Sequence, residues 1–273
     1  MNKKKMLIIA AAVSAALLLG GIFLLTKDTV RQRSTEREMK PYVPSPKILL
    51  ELDDISIPKS ATEAVGGITE SSEAPTMPSS ELPSELRQQL IDTAAELNNA
   101  YPDSLGWLYI PDTLISYPIM QSDDNEFYLS HASDGSSLKS GSVFLDYRCE
   151  NRFMNPINIL YGHNMRNGSM FAQVTNYTND SFFEAHRYGW LATPDTVYRI
   201  DFFSCAIADS SDSLYDGSTP IAEWIPHIAE KSVVTREMTF LDEDRFISLS
   251  TCSYEFRNAR TVLTGKLVDT IGG

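Results

Sequence analysis

The sequence predicts a mainly β domain with peripheral helices, held behind one N-terminal membrane-spanning helix. Three observations support this prediction. About eight short apolar runs, separated by Gly, Pro, Asn and Asp, fill the chain after residue 106. A segment with helical apolar spacing precedes these runs. An unbroken apolar stretch of about 20 residues lies at the N-terminus, which is the length that a transmembrane helix needs.

The N-terminal apolar stretch runs from Met6 to Leu25, directly after three lysines. As a helix it is long enough to cross a hydrocarbon core of roughly 30 Å. The alternative is a cleaved signal peptide, but its apolar region is usually shorter and ends in small residues, which this stretch does not. Basic residues flank both ends, so the difference in positive charge between the two sides is small. The orientation with the N-terminus inside and the C-terminus outside is favoured because the leading tail is short. We therefore expect residues 1–27 to be a cytoplasmic tail and single-pass anchor in the cell membrane.

Residues 28–83 have the composition of a flexible extracytoplasmic linker. Charged residues come first, and a run rich in Ser, Glu and Pro follows from Glu70 to Pro83. Such a segment buries too little apolar surface to offset the entropy that ordering costs. We expect the ordered domain to comprise residues 84–273.

Within that domain, two helices and a set of strands are predicted. One apolar stripe is predicted on a helix that begins near Ser84, and it consists of Leu86, Leu90, Ile91, Ala94, Ala95 and Leu97. A second helix is predicted over Ile221–Ala229, and Pro226 inside it should kink or split it. Eight short strands with few helices indicate a barrel or a sandwich. The predicted strands are Trp107–Ile110, Ile115–Met120, Ser142–Leu145, Ile157–Tyr161, Tyr188–Ala192, Val197–Ala206, Phe246–Thr251 and Thr261–Val268.

Charge and cysteine content exclude several functional classes. The formal net charge is −13 and no basic stripe follows residue 40, so nucleic acid is not an expected partner. The three cysteines, Cys149, Cys205 and Cys252, form no CxxC pair and no ladder with histidine. Neither a zinc site nor a disulfide framework is expected, and we predict no metal and no cofactor.

Three residues at strand ends have side chains suited to acyl transfer. Cys252 ends the run Ile247–Thr251, His163 follows Ile157–Tyr161, and Arg260 precedes Thr261–Val268. A cysteine is activated as a nucleophile by a nearby imidazolium, which also protonates the departing amine. A guanidinium stabilises the oxyanion.

Each of these residues also has an ordinary structural explanation. Free cysteines are mostly buried packing residues, lone histidines are mostly structural, and an arginine beside a loop is often a surface cation. Arg257 competes with Arg260 for the cationic role. Cys149, in a predicted surface turn, and Cys205, within an apolar strand, have no motif that supports catalysis.

Several segments together resemble the sortases. Ser248-Leu249-Ser250-Thr251-Cys252 is similar to that family's TLxTC motif, with serine in its first position. Tyr161-Gly162-His163 resembles the segment that carries the family's catalytic histidine, and Arg260 with the following strand resembles the segment of its catalytic arginine. The similarity extends over roughly residues 84–270, including Gly106–Pro111, Tyr117–Gln121, Gly141–Tyr147 and Gly168–Phe171. The resemblance implies a closed, sortase-like β-barrel of about eight strands.

The resemblance further implies class B. Sortases of that class carry a helix in the connection that here holds Ile221–Ala229, together with an N-terminal helix and an N-terminal anchor. Classes A and D usually have a shorter connection. Class C carries a lid with an Asp-Pro-Trp/Phe-type plug, which is not found in residues 28–83.

The activity implied is that of a membrane-anchored cysteine transpeptidase. Cys252 would cleave a C-terminal sorting signal, LPxTG-like or NPxTx-like, after Thr through a thioacyl intermediate, with His163 and Arg260 assisting. The acceptor amine would belong to a lipid II-type peptidoglycan precursor of a Gram-positive-type wall, or to a pilin lysine. Residues implied to bind substrate are Asn125, Leu129, Tyr161, Tyr215, Ser250 and Thr251. The alternatives are a pilin-polymerising sortase, another cell-wall cysteine acyltransferase and a non-catalytic, surface-tethered binding module.

Overall fold

The computed structural model describes residues 80–270. This part of the chain contains nine β-strands and three α-helices. The strands are β1 Ser104–Tyr109, β2 Ser116–Met120, β3 Val143–Leu145, β4 Ile157–Tyr161, β5 Tyr188–Ala192, β6 Val197–Asp209, β7 Ser232–Thr235, β8 Arg245–Cys252 and β9 Ala259–Asp269. The α-helices are α1 Ser84–Ala100, α2 Asp180–Ala185 and α3 Ile221–Lys231. Short 3₁₀ helices span Phe127–Leu129, Ala172–Thr178 and Ser213–Tyr215.

Eight of the strands close into a barrel. The sheet runs in the order β5-β1-β2-β3-β4-β8-β9-β6, and β5 also pairs with β6, which completes the ring. The β2–β3 and β4–β8 pairs are parallel, whereas the other pairs are antiparallel. Closure leaves these eight strands without an exposed edge on the ring. The predicted barrel of about eight strands is thus confirmed.

Strand β7 is the ninth and lies outside the ring. It pairs with β6 opposite Ser204–Ala206, and a register shift interrupts the ladder there. The sequence analysis did not predict this strand. Only Val234 of its four residues is buried, so it lacks the apolar alternation that reveals a strand in sequence.

The barrel interior is filled by large apolar side chains. Leu108, Leu160, Leu249 and Leu263 from four different strands are each 0% exposed and belong to one continuous cluster. A second cluster lies under α3, where Trp224 packs against strand residues. These two cores hold the strand ends in fixed positions, and the strand ends carry the candidate site.

Both predicted helices are present. On α1, four residues of the predicted stripe are buried, namely Leu86, Leu90, Ala94 and Leu97, whereas Ile91 and Ala95 are only partly buried. On α3, Pro226 lies inside one uninterrupted helix, so the expected split does not occur. The buried Trp224 and Ile228 lie on either side of the proline, and their packing holds the two halves of the helix together.

The described part of the chain begins slightly before α1. Leu82 is buried, and Arg199 on β6 donates a hydrogen bond from Nη1 to the Ser80 carbonyl at 3.1 Å. The last residues of the segment that we expected to be a linker therefore contact the barrel. Among residues 80–270, no helix has the length and apolarity required to span a bilayer. The expected anchor over residues 6–25 lies outside the described residues.

Candidate active site

The candidate site is built on two parallel strands that end at the same edge of the barrel. β4 and β8 pair in parallel up to Tyr161↔Ser250, where β4 ends, whereas β8 continues to Cys252. The Gly162 amide still donates to the Ser250 carbonyl at 3.2 Å, so the two residues that follow β4, Gly162 and His163, come level with Thr251 and Cys252. Parallel pairing explains why two residues far apart in the sequence emerge side by side.

Arg260 joins them from the neighbouring antiparallel strand. β9 begins at Ala259, and Arg260 is the direct cross-strand partner of Cys252. Directly opposite residues of an antiparallel pair have Cβ atoms about 5 Å apart. The Arg260 guanidinium is fixed further by hydrogen bonds from Nη1 to the carbonyls of Ala259 at 3.0 Å and Asn258 at 3.4 Å.

Hydrogen bonds hold the ends of β4 and β8 together. Thr251 donates from Oγ1 to the Gly162 carbonyl at 2.8 Å, and Asn164 donates from Nδ2 to the Cys252 carbonyl at 2.9 Å. Gly162 is required here because a Cβ at this position would lie 2.7 Å from the buried Phe171 ring. The backbone that carries His163 is thus held from both sides.

The His163 ring is oriented by a backbone carbonyl. Nε2 lies 2.8 Å from the Leu129 oxygen, at the end of the 3₁₀ helix Phe127–Leu129. A carbonyl accepts only, so Nε2 carries the proton in this contact. Nδ1 is therefore the ring nitrogen left to exchange a proton with a reacting group.

One open cavity of about 700 Å³ contains all nine residues that the sequence analysis selected. Its lining includes His163, Cys252 and Arg260, together with Asn125, Leu129, Tyr161, Tyr215, Ser250 and Thr251. Arg257 is exposed and is not in the lining, so of the two arginines only Arg260 reaches the cavity.

Two tyrosines form one wall of the cavity. The rings of Tyr161 and Tyr215 stack with centroids 6.3 Å apart, and the Tyr215 hydroxyl lies 2.9 Å from Ser250 Oγ. Burial raises the pKa of Tyr215 to about 12 and raises that of Tyr161 even further. Both phenols are therefore neutral at physiological pH, and they supply apolar faces with hydroxyl edges.

The loop that carries Tyr215 is fastened to α3 by an acidic residue. Asp212 Oδ1 accepts a hydrogen bond from the Leu214 amide at 2.9 Å and lies 2.5 Å from His227 Nε2. Lys231 Nζ lies 3.5 Å from Asp212 Oδ2. Burial acts to raise the pKa of Asp212, but the hydrogen bond with His227 and the other contacts outweigh it, so this pKa is lowered.

The other two cysteines lie outside this cavity. Burial raises the pKa of the Cys205 thiol to about 12 and also raises the pKa of Cys149. Both thiols are therefore poor nucleophiles at neutral pH. Within residues 80–270, no group of three or more His, Cys, Asp or Glu side chains is arranged to hold a metal ion.

The sequence analysis missed several residues of the site. Asn164 donates a hydrogen bond to the carbonyl of Cys252 at the end of β8. Arg148 and Asp212 line the cavity, and the buried Asp146 lies behind its wall. Asp146 follows β3 directly, which is the same signal of a polar residue at a strand end that singled out Cys252. Nothing in the sequence shows which face of the strand end Asp146 occupies.

The sequence and the fold are similar to those of known proteins. No protein-family model matches the sequence. Over 192 residues the chain is 36% identical to sortase B of Listeria monocytogenes, which covers 67% of this chain and 76% of that relative. A Streptococcus pyogenes class B sortase involved in pilus biogenesis superposes with a TM-score of 0.60 at 32% identity, over 63% of this chain and 96% of its own. A Staphylococcus aureus sortase B–substrate complex superposes with a TM-score of 0.62 at 25% identity, over 66% and 87%.

Proposed function

The chain belongs to the class B sortases and is a cysteine transpeptidase, and we propose that it cleaves a C-terminal sorting signal after Thr. The signal is of the LPxTG or NPxTx type, and the protein that carries it is transferred to the amine of a lipid II-type cell-wall precursor. Cys252 is the nucleophile, His163 is the general acid and base, and Arg260 stabilises the oxyanion.

One observation carries the assignment of these three roles. The parallel register of β4 and β8 brings His163 level with Cys252, and Arg260 is the cross-strand partner of Cys252. All three residues line the same cavity. This arrangement offers a nucleophile, a proton donor and a cation to one carbonyl group.

The proposed first step forms a thioester and breaks a peptide bond. The Cys252 thiolate attacks the Thr carbonyl, and the oxyanion that forms is stabilised by the Arg260 guanidinium. The intermediate collapses as the C–N bond breaks, and the imidazolium of His163 protonates the departing amine. Because Nε2 is engaged by the Leu129 carbonyl, the transferred proton comes from Nδ1.

The second step reverses these roles. Neutral His163 takes a proton from the incoming amine, whose nitrogen attacks the thioester carbonyl. The C–S bond breaks, Cys252 leaves as the thiolate and the imidazolium is restored. The enzyme is thus regenerated, and one amide bond has replaced another.

The substrate contacts are assigned to the remaining lining residues. The faces of Tyr161 and Tyr215 suit the apolar parts of the signal, and the exposed Leu129 extends that surface at the cavity mouth. Ser250, Thr251 and Asn125 offer polar contacts along the same wall.

A pilin lysine is the second candidate acceptor. The Streptococcus pyogenes neighbour is described as involved in pilus biogenesis, so the same fold serves that process. The two acceptors are separated by supplying the enzyme with either a lipid II-type precursor or a lysine-bearing pilin peptide. The proposal of a cell-wall acceptor predicts product with the precursor and none with the pilin peptide.

We also propose that the catalytic domain lies outside the cell membrane. The basis is the apolar stretch over residues 6–25, with lysines before it and a long polar segment after it. Protease treatment of intact protoplasts tests this. The domain should be digested while a tag placed before Lys3 stays protected, and the reverse protection pattern would contradict the orientation.

The activity is tested with the full-length chain in detergent. A quenched sorting peptide and an amine acceptor should give cleavage together with an amine-linked product. Cys252→Ala should abolish both, whereas Cys149→Ala should retain them. Cleavage that survives Cys252→Ala would remove this residue as the nucleophile. A chain that acts only on peptidoglycan stem peptides would instead be a different acyltransferase.

A further inference from the structure

The carbonyl that contacts the His163 ring belongs to a short turn that is held at its start, its middle and its end. Leu129 is the last residue of the 3₁₀ helix Phe127–Leu129, and its oxygen lies 2.8 Å from His163 Nε2. The middle of the turn is fixed by Tyr128, which is 2% exposed and accepts a hydrogen bond at its carbonyl from the Ser142 amide at 2.9 Å. The position of the Leu129 oxygen therefore depends on how firmly the two ends of the turn are held.

The start of the turn is held by one carboxylate. Asp124 Oδ1 accepts hydrogen bonds from the amides of Glu126 and Phe127, both at 2.8 Å. Within residues 80–270, neither amide donates to a backbone carbonyl. The hydrogen bonds from Phe127 and then Glu126 lower the pKa of Asp124, so the carboxylate is charged at neutral pH. Removing this side chain would leave both amides to water and loosen the start of the turn.

The end of the turn packs directly against a glycine. Gly141 has a φ of +55°, and a Cβ added there would lie 2.7 Å from the Leu129 oxygen. The missing side chain thus lets the backbone at Gly141 touch the peptide group that contacts His163. On the outer face, Leu129 is 40% exposed and Phe127 is 37% exposed, with the Phe127 ring stacked on His131. The turn is therefore blocked on its inner side, and little packing opposes an outward shift.

The position of this carbonyl matters because it selects the tautomer of His163. A neutral imidazole carries one proton, and the Leu129 oxygen holds that proton at Nε2, which leaves Nδ1 free to accept another. Among residues 80–270, no carboxylate contacts the ring. The orienting role that a carboxylate has in many catalytic triads therefore falls to a backbone carbonyl.

On the basis of the proposed function, in which His163 is the general acid and base, we propose that Asp124 is a positioning residue of the transpeptidase reaction. Its carboxylate holds the start of the turn Phe127–Leu129, and the turn presents the Leu129 carbonyl to Nε2. That contact keeps the proton of the neutral ring off Nδ1, the atom that exchanges protons with the reacting groups. Asp124 does not line the cavity, so it acts through the turn and not on the substrate.

The tautomer of His163 tests this proposal without any turnover. The full-length Cys252→Ala chain in detergent is labelled with ¹⁵N-histidine, and two-bond ¹H–¹⁵N correlations are recorded at alkaline pH. Loss of one ring pattern in His163→Ala identifies His163 among the four histidines. The fraction of rings with the proton on Nδ1 should rise about fivefold in Asp124→Ala, since one hydrogen bond is at stake. An unchanged tautomer in Asp124→Ala would overturn the proposal.

Kinetics of the chain with Cys252 intact separate positioning from substrate binding. Asp124→Ala should lower kcat about tenfold and leave KM within twofold, because the imidazole and not the peptide site is misplaced. Asp124→Asn keeps an oxygen that can accept from the same two amides, so it should retain kcat within about threefold. A loss in Asp124→Asn as large as that in Asp124→Ala would refute the role of the hydrogen bonds at the turn.

Asp123→Ala is the matched control. Asp123 is the exposed neighbour with the same charge, whereas the two amides of the turn donate to Asp124. This variant should change neither the tautomer of His163 nor kcat. A tenfold loss of kcat in Asp123→Ala would mean that negative charge in this loop, rather than the turn, controls the rate.

Failure of this inference and failure of the proposed function give different results. If Asp124→Ala lowers the melting temperature but changes neither the tautomer nor kcat, the residue is structural only, while cleavage that depends on Cys252 still supports the proposed function. Cleavage that does not depend on Cys252 overturns the proposed function. The tautomer, measured in the Cys252→Ala chain, then still decides whether Asp124 positions the ring.

Discussion

At the scale of single residues, the candidate site depends on which arginine faces Cys252. Arg260 is opposite Cys252 in the β8–β9 ladder, whereas Arg257 is exposed in the loop between these strands. The sequence alone left the two in competition because both lie within eight residues of Cys252. Strand register resolves the competition, since an antiparallel pair fixes which side chains meet.

The first prediction concerns this pair of arginines. Arg260→Gln should lower kcat for peptide cleavage by about 10²- to 10³-fold, the usual cost of losing an oxyanion donor. Arg257→Gln removes the same charge from the same loop region and should change kcat by less than threefold. Steady-state cleavage of a quenched peptide measures both. A larger loss in Arg257→Gln than in Arg260→Gln would reverse the assignment.

The second prediction concerns Asp146 and pH. Burial acts to raise the pKa of this carboxyl, but the hydrogen bonds from Arg148 outweigh it, so the pKa is lowered. A carboxyl whose pKa is lowered on folding contributes stability above its unfolded value of about 3.9, and this contribution disappears as the pH falls through the folded value.

Asp146→Asn should therefore lower the free energy of unfolding by about 2–3 kcal/mol at pH 7, because it leaves Arg148 without its counter-ion. Urea denaturation at pH 7 and pH 3 measures the difference between the variant and the wild type. The difference should shrink at pH 3, where the wild-type carboxyl approaches protonation. A difference that grows on acidification would contradict the ion pair.

The residues that sequence reasoning found and missed differ in one physical respect. His163 and Cys252 stand in short motifs at the ends of strongly apolar strands, so their placement could be predicted. Asp146 also follows a strand, but its partners Tyr161 and Arg148 approach it through the fold. An isolated carboxylate in a sequence carries no sign of such burial.

At the scale of elements, the close approach of β4 to its neighbours depends on one glycine. Gly162 lies between Tyr161 and His163, and a Cβ there would lie 2.7 Å from Cγ of Phe171. Phe171 is fully buried in the barrel core and has no space to yield. The end of β4 would have to shift, and the imidazole would move with it.

The third prediction follows from that contact. Gly162→Ala should destabilise the protein by about 1–3 kcal/mol, as overpacking usually does, and should reduce kcat/KM further than stability alone explains. Gly217→Ala is the control, because the nearest atom to its added Cβ is 3.9 Å away. Thermal melts and peptide cleavage measure both variants. Full activity in Gly162→Ala would show that His163 tolerates a shift of its strand.

The fourth prediction uses two buried threonines on β9. Thr264 Oγ1 lies 3.1 Å from Ser248 Oγ, whereas Thr261 Oγ1 is buried and has no hydrogen-bond partner within residues 80–270. Thr261→Val removes an unsatisfied hydroxyl and should stabilise the protein by about 1 kcal/mol. Thr264→Val leaves the Ser248 hydroxyl without a partner and should destabilise it by about 1–2 kcal/mol. Urea denaturation measures the free energy of unfolding of both variants. Changes of the same sign in the two variants, or stabilisation by Thr264→Val with destabilisation by Thr261→Val, would contradict this prediction.

At the same scale, the strands and helices that could be predicted from the sequence are those with a clear apolar pattern. The barrel strands carry apolar runs and were all predicted, as were helices α1 and α3. Strand β7 and helix α2 were missed, because each is short and has one buried residue. Their formation depends on the neighbours against which they pack, and local propensity does not report those neighbours.

At the scale of the whole described domain, the main feature is that one long strand closes the barrel. β6 pairs with β5 along its first half and with β9 along nearly its whole length, so one long strand joins the two ends of the sheet. The apolar pattern could not distinguish such a barrel from a sandwich. Strand order depends on pairings between residues far apart in the sequence, which a local pattern does not show. The closed barrel was therefore predicted only from the resemblance of several separate segments to one family.

Barrel closure also sets the order in which the site is assembled along the chain. His163 leaves the fourth strand and Cys252 the eighth, and the intervening chain supplies the Tyr215 wall and α3. Cys252 and His163 therefore come together only when β8 docks beside β4. We expect the two residues then to act as one catalytic unit with Arg260.

The most direct measurement is the identification of the covalent intermediate. The full-length chain is mixed with a sorting peptide in the absence of an amine acceptor, quenched in acid and digested, and the acylated residue is located by mass spectrometry. We predict that the mass of the peptide up to its Thr is added at Cys252, that it is lost on addition of an amine, and that it accumulates more slowly in His163→Ala. Acylation at Cys149 or Cys205, or turnover with no adduct at Cys252, would contradict the account.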